Sequence, residues 1–254
     1  MKIFSHLKGH KYTKNKASLN YNLTHKLKTK VPIPVYLMPG MAASPRIFEY
    51  IDLGNDFELI KLSWMSPKKK ESLASYAGRM CERVKHDNPV LIGVSFGGIL
   101  VQEMAKLIPC RCVIIVSSVK SNKEFSLSIK LARRTGAHKL LPTQWIENLE
   151  SLVLFVFGPS VQSKIEAYQM YLSERDPYYL DWSIDQIVHW NQEKPEDKLI
   201  HIHGDKDKVF PMDNLNTKGR FYRLKNASHA MILTHHKWFN KELPSIILNN
   251  QPIN

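Results

Sequence analysis

Val90-Leu91-Ile92-Gly93-Val94-Ser95-Phe96-Gly97-Gly98 is an apolar, β-branched run that reaches Gly-x-Ser-x-Gly and passes directly into the helical pattern Ile99 to Leu107. A strand that reverses into a helix within about three residues forces its central residue into a strained backbone conformation. Glycine on either side leaves room for the two elements to approach. Gly93 and Gly97 occupy those places and make Ser95 a candidate nucleophile. The helix that follows would supply backbone N–H groups and a partial positive charge where an oxyanion forms. A plain Gly/Ser turn between a buried strand and a helix is the bland alternative.

Upstream of this stretch, Val31–Met38 reads as a strand despite Pro32 and Pro34, and Pro39-Gly40-Met41 turns it. An amphipathic piece over Ile47–Leu53 leads to a second strand, Phe57–Leu62. Next comes a lysine-rich loop, then a helix whose apolar side is Leu73, Tyr76, Ala77, Met80, Cys81 and Val84, with Glu71, Arg79, Glu82 and Lys85 opposite. Asn88-Pro89 stops it. Strand, helix and strand in this order make a parallel crossover unit, which is right-handed.

Downstream, Cys112–Val116 is a fully buried strand. From Lys120 to Asp197 the pattern becomes helical, with segments at Phe125–Leu131, Gln144–Phe157, Ser163–Leu172 and Asp181–Asn191, so residues 120–197 are expected to be a helical insertion. Leu199–His203 resumes the sheet, Arg220–Leu224 adds a last strand, and a terminal helix near His235–Leu248 is expected to be broken at Pro244.

The 254 residues are 43% hydrophobic, enough for a substantial core in one α/β domain. The three cysteines, Cys81, Cys110 and Cys112, lack CxxC and metal-ligand spacing, which points to a reducing, cytoplasmic setting without a disulfide framework or a metal site. No apolar run approaches the ~18 residues that cross a membrane, and no apolar export segment follows Lys2. The net charge of +13 suggests nucleic acid until it is located: residues 1–30 carry eight lysines and no acid. That segment lacks arginine and interleaved aromatics of the kind that would stack on bases, so it reads as a solvated basic arm, with a polyanion-binding arm as the alternative, and no nucleic-acid partner is expected.

A serine nucleophile needs a base, and the base needs an acid to orient it. The loop after the 199–203 strand carries Asp205 and Asp207, and the loop after the last strand carries His229. Serine, acid and histidine thus follow one another in the order Ser, Asp, His.

With these motifs in place, the chain resembles the α/β-hydrolase fold superfamily with a helical cap. The resemblance spans about residues 33 to 240 and rests on Met38-Pro39-Gly40-Met41, Gly93-Val94-Ser95-Phe96-Gly97-Gly98, His203-Gly204-Asp205-Lys206-Asp207 and Ser228-His229-Ala230. It implies a mostly parallel sheet with helices on both faces, formed by residues 31–119 and 198–254, with residues 120–197 as the cap. It also implies Ser95 as nucleophile, His229 as base, Asp207 as the acid by the His-Gly-x-x-Asp pattern, and the backbone N–H groups of Met41 and Phe96 as oxyanion donors, their side chains free to line the pocket. No cofactor is implied. Pro39 and Val94 stand where many relatives carry histidine, and neither position performs the chemistry. The first antiparallel strands of the family find no match before Val31, so six strands are expected rather than eight.

The function this implies is hydrolysis of a small-molecule ester, or less readily a thioester or amide. Acyl transfer or a lyase-type reaction on the same fold is an alternative, as is a ligand-binding protein without catalysis. Arg133 and Arg134, on a helix leading into Gly136, are candidates to meet an anionic part of a substrate. Trp145, Phe155, Phe157 and Trp182 are candidates to contact its acyl or aromatic part. Oligomeric state is left open.

Overall fold

The computed structural model describes residues 31–136, 169–196 and 198–249. The basic arm expected over residues 1–30, the helices expected at 144–157 and over most of 163–172, and with them Trp145, Phe155 and Phe157, lie outside the described residues.

Six strands, β1 (Ile33–Met38), β2 (Phe57–Lys61), β3 (Val90–Val94), β4 (Cys112–Val116), β5 (Leu199–Gly204) and β6 (Arg220–Leu224), form one sheet in the order β2-β1-β3-β4-β5-β6. Every neighbouring pair is parallel. A parallel sheet needs cover on both faces, which is why β3 and β4 are buried along their whole length. Side-chain alternation splits each strand between two cores. Val35, Leu37, Val90, Ile92, Ile114 and Ile200 face one side, and Tyr36, Met38, Leu91, Val113 and Ile115 face the other.

Helices α1 (Leu73–Cys81) and α2 (Phe96–Ala105) cover the second face. Ser72 caps α1 by accepting from the Ser75 N–H at 3.2 Å. Glu71, expected on a solvated face, is instead buried, because its carboxylate takes Arg79 in a bidentate pair at 2.6 and 2.8 Å and also accepts the Lys68 N–H at 2.7 Å. The amphipathic piece expected at 47–53 is a short 3-10 turn, Pro45–Phe48, opened by Ser44. Between β4 and β5 the described residues form α3 (Leu127–Thr135), ended by Gly136 at φ 70°, and α4 (Pro177–His189), capped by Asp176. After β6 the described residues form α5 (Met231–Thr234) and α6 (His236–Leu248). The break expected at Pro244 does not occur: this proline lies inside α6. Phe239, Leu243, Ile246 and Ile247 are all buried against the first core, and that burial outweighs the ~3 kcal/mol a helical proline costs. No helix among the described residues is long and apolar enough to cross a membrane.

Two glycines mark the places where backbones touch. A Cβ on Gly93 would lie 2.2 Å from the Gly97 carbonyl oxygen, so the end of β3 and the first turn of α2 pack main chain to main chain. A Cβ on Gly97 would lie 2.3 Å from the Pro39 carbonyl oxygen and 2.6 Å from that of Met38, which seats the turn after β1 directly on the head of α2. Gly78, inside α1, has nothing within 4 Å of an added Cβ. Gly97→Ala is therefore expected to destabilise by about 1–3 kcal/mol or more, whereas Gly78→Ala is expected to stabilise by about 0.5–1 kcal/mol. Denaturant unfolding of the two variants checks both signs.

Candidate active site

The turn from β3 into α2 places Ser95 at φ 53° and ψ −120°, a conformation rare for any residue with a side chain. Two contacts hold it there. The Ser95 N–H donates to the Val116 carbonyl at 2.9 Å, and the Ser118 hydroxyl donates to the Ser95 carbonyl at 2.8 Å. The Ser95 side chain makes no capping bond to α2 and is partly exposed. Gly40 of the turn after β1 faces it so closely that an added Cβ would stand 3.3 Å from Ser95 Cβ. That turn is fixed in turn by Trp64, whose Nε1–H donates to the Gly40 carbonyl at 2.8 Å and whose ring stacks on Phe96 at 5.0 Å and 9°.

The Met41 and Phe96 N–H groups, expected as oxyanion donors, both belong to this junction and have no acceptor among the described residues. Their side chains differ. Met41 is partly exposed, while the Phe96 ring is buried between Trp64 and Trp182 and is not free to line a pocket. The stack with Trp64 is the reason: a large ring beginning a buried helix gains more from packing than from exposure.

The loops after β5 and β6 are stitched to each other. A Cβ on Gly204 would lie 2.2 Å from the Ala227 carbonyl oxygen, and the Lys206 N–H donates to that same carbonyl at 2.9 Å. Asp205 completes the seam by accepting the Asn226 N–H at 2.7 Å and pairing with Arg223 at 3.2 Å. With the loops held together, His229 Nδ1 donates to Asp207 Oδ2 at 2.8 Å, and both residues are buried. Asp207 Oδ1 accepts the N–H groups of Val209 and Phe210 at 2.8 and 3.0 Å. The two aspartates of this loop therefore have distinct work: Asp205 holds backbone, and Asp207 holds the imidazole. Ser95, Asp207 and His229 all follow the carboxyl ends of parallel strands, so they share one edge of the sheet. Among the described residues no hydrogen bond joins Ser95 Oγ to His229.

No family model and no curated protein matches the sequence. Solved structures do match in three dimensions. An esterase from Rhodococcus sp. superposes with a TM-score of 0.61 at 17% identity, over 86% of this chain and 91% of that one. A putative non-heme bromoperoxidase from Mycobacterium tuberculosis gives 0.64 at 12%, over 87% and 94%. A hydrolase from Pseudomonas aeruginosa gives 0.66 at 13%, over 85% and 90%. This chain has the α/β-hydrolase fold.

In that fold the remaining candidates fall as follows. Arg133 and Arg134 are exposed in the last turn of α3, just before Gly136. Trp182 of α4 is buried, with its Nε1–H on the Glu71 carbonyl at 2.7 Å and its ring 4.6 Å from Tyr76. Its exposed margin borders a cavity of about 710 Å³ between residues 69–72 and α4. No group of three or more His, Cys, Asp or Glu among the described residues is placed to hold a metal ion.

Sequence reasoning passed over three supports: Trp64 behind the 39–41 turn, Ser118 beneath Ser95, and His203, whose Nε2 stands 3.3 Å from Asp207 Oδ2. Only His203 left a signal, since alternation in β5 sends it and His201 to the same face.

Burial alone would push the Asp207 carboxyl up. The imidazoles of His229 and His203 and the Phe210 N–H outweigh it and hold the carboxyl below the usual aspartate range. A lowered folded-state value stabilises the fold above the unfolded value of about 3.9, and that contribution disappears as pH falls through the folded value. Asp207→Asn removes the charge and turns an amide toward N–H donors, so a loss of about 1–3 kcal/mol is expected at pH 7. The gap between variant and parent is expected to narrow below about pH 4, a trend that thermal unfolding across pH 3 to 7 reads directly.

Proposed function

We propose that this protein is a serine hydrolase that cleaves a small or medium ester through an acyl-serine intermediate. The observation that carries the reading is the buried His229–Asp207 hydrogen bond on the same sheet edge as a serine held in a strained turn at a helix N-terminus. Because Asp207 occupies Nδ1, Nε2 is the nitrogen left to act as base.

The steps then follow. Ser95 Oγ attacks the ester carbonyl carbon while its proton passes to His229 Nε2. The carbonyl oxygen becomes an oxyanion held by the Met41 and Phe96 N–H groups, and Asp207 stabilises the imidazolium. Collapse of the tetrahedral adduct breaks the ester C–O bond, and His229 returns the proton to the departing alkoxide. Water repeats the sequence on the acyl-serine and frees the acid. The Ser95–His229 contact belongs to the substrate complex, since such bonds are commonly long before substrate binds. The esterase and hydrolase among the structural neighbours favour this reading.

Ser95→Ala should abolish hydrolysis of short-chain nitrophenyl esters and all labelling by a fluorophosphonate. Asp207→Asn should lower turnover by about 10³- to 10⁴-fold, and Asp205→Asn far less. Labelling that persists in Ser95→Ala, or equal losses at the two aspartates, overturns the assignment.

Residues 120–197 act in this proposal as a cap that selects the substrate, with Arg133 and Arg134 offering guanidinium groups to an anionic ester at the mouth of the site. Replacing both by Gln should raise KM for anionic esters and leave neutral esters unchanged, and steady-state kinetics on a matched ester pair decides it.

A further inference from the structure

Behind the His229–Asp207 pair a second imidazole stands in contact with the carboxylate and leads into the sheet. His203 Nε2 lies 2.9 Å from the Phe210 carbonyl oxygen and 3.3 Å from Asp207 Oδ2. Its Nδ1 lies 3.0 Å from His201 Nε2. Both rings are fully buried at 0% exposure, an uncommon place for two imidazoles unless each polar atom has a use.

The acceptors fix the protons. A carbonyl and a carboxylate both face His203 Nε2, and neither donates, so this nitrogen carries a hydrogen. If the ring is neutral, Nδ1 is then an acceptor, and His201 Nε2–H donates to it. His201 Nδ1 is then not needed as a donor, and among the described residues it makes no side-chain hydrogen bond. Neutral rings also agree with their surroundings. Burial, the neighbouring His203 and Lys120 all push protonation of His201 down. Burial does the same at His203, against the opposing pull of Asp207. The groups facing His203 are thus Asp207 and the Phe210 carbonyl from the acid loop, His229 from the loop after β6, and His201 from its own strand, with Lys120 beyond His201.

We infer that His203 is a positioning residue for the acid–base pair: its ring, anchored by the Nε2–H to the Phe210 carbonyl and standing 3.3 Å from Asp207 Oδ2, limits the carboxylate rotation that presents Oδ2 to His229. The inference rests on the triad reading above. Asp207 Oδ1 is held by two backbone N–H groups, so Oδ2 is the oxygen whose direction matters. Were His229 its only partner, each movement of that ring during proton transfer would release it. His203 keeps it in place, and His201 keeps His203 in the tautomer that can donate.

The test compares the full chain with His203→Gln, His203→Asn and His203→Phe. Gln reaches the same distance as the ring and offers an amide N–H where Nε2 stood. Asn is one atom shorter, and Phe offers no donor. Expected for Asn and Phe is a fall in kcat of about 10- to 100-fold with KM within about twofold, the scale usual for a hydrogen-bond partner one step behind a reacting group. Gln should recover most of that loss. Thermal unfolding separates these effects from incomplete folding. Independently of activity, the far-downfield proton NMR signal of the His229 Nδ1–H should persist in the parent and in His203→Gln, and shift or broaden in His203→Asn. Equal kcat in all folded variants, a loss in Gln as deep as in Asn, or an NMR signal indifferent to residue 203 overturns the inference. A parent chain that neither turns over esters nor reacts with a fluorophosphonate, yet shows the NMR pattern, defeats the hydrolase reading and leaves this one standing.

Discussion

Main chain pressed against main chain is the constraint on which the rest depends. The end of β3, the first turn of α2 and the turn after β1 meet at distances that exclude a Cβ on Gly93 or Gly97. Through that contact the strain at Ser95 is sustained, because a residue forced to φ 53° relaxes unless the elements on both sides are immovable. The same contact brings the Met41 and Phe96 N–H groups to one junction. Hydrogen bonds from Trp64 and Ser118 then brace it from the side and from below.

A second seam, between the loops after β5 and β6, is built in the same way around Gly204 and Ala227. Here the acid next to the functional candidate does the joining. Asp205 spends its carboxylate on the Asn226 N–H and Arg223, which leaves Asp207 free to turn inward. Two aspartates two positions apart have different environments because the chain turns between them, the Asp207 N–H donating to the Gly204 carbonyl at 3.2 Å.

The fold was legible in the sequence wherever burial is periodic. Alternating and continuous apolar runs located all six strands to within one or two residues, most plainly β3, β4 and β5, which are covered on both faces and have few other ways to read. What failed to show was set by particular side-chain contacts and not by the period of burial. Glu71 looks solvated until Arg79 and the Lys68 N–H come to it, Pro244 looks like a helix end until four buried neighbours hold the helix through it, and Phe96 looks like a pocket residue until Trp64 arrives. The motif-bearing candidates Ser95, Asp207 and His229 were visible because each sits next to a strand end. Trp64 and Ser118 were not, because their importance lies in what they touch, and His203 showed only as part of a motif and an alternating strand.

The order of the strands has a consequence for how the molecule comes into being. Ser95 follows β3, near the middle of the sheet, whereas His229 follows β6 at its rim, and β5 and β6 join β4 only after the long stretch between β4 and β5 has been made. Parallel pairings across such separations are slow to form, because the chain entropy of closing the loop is lost before the contact returns anything. The serine turn can be assembled from the first half of the polypeptide alone. Asp207 and His229 arrive last, so a nascent or partly unfolded chain carries the strained serine turn without the buried acid–imidazole pair until the final strands of the sheet have docked.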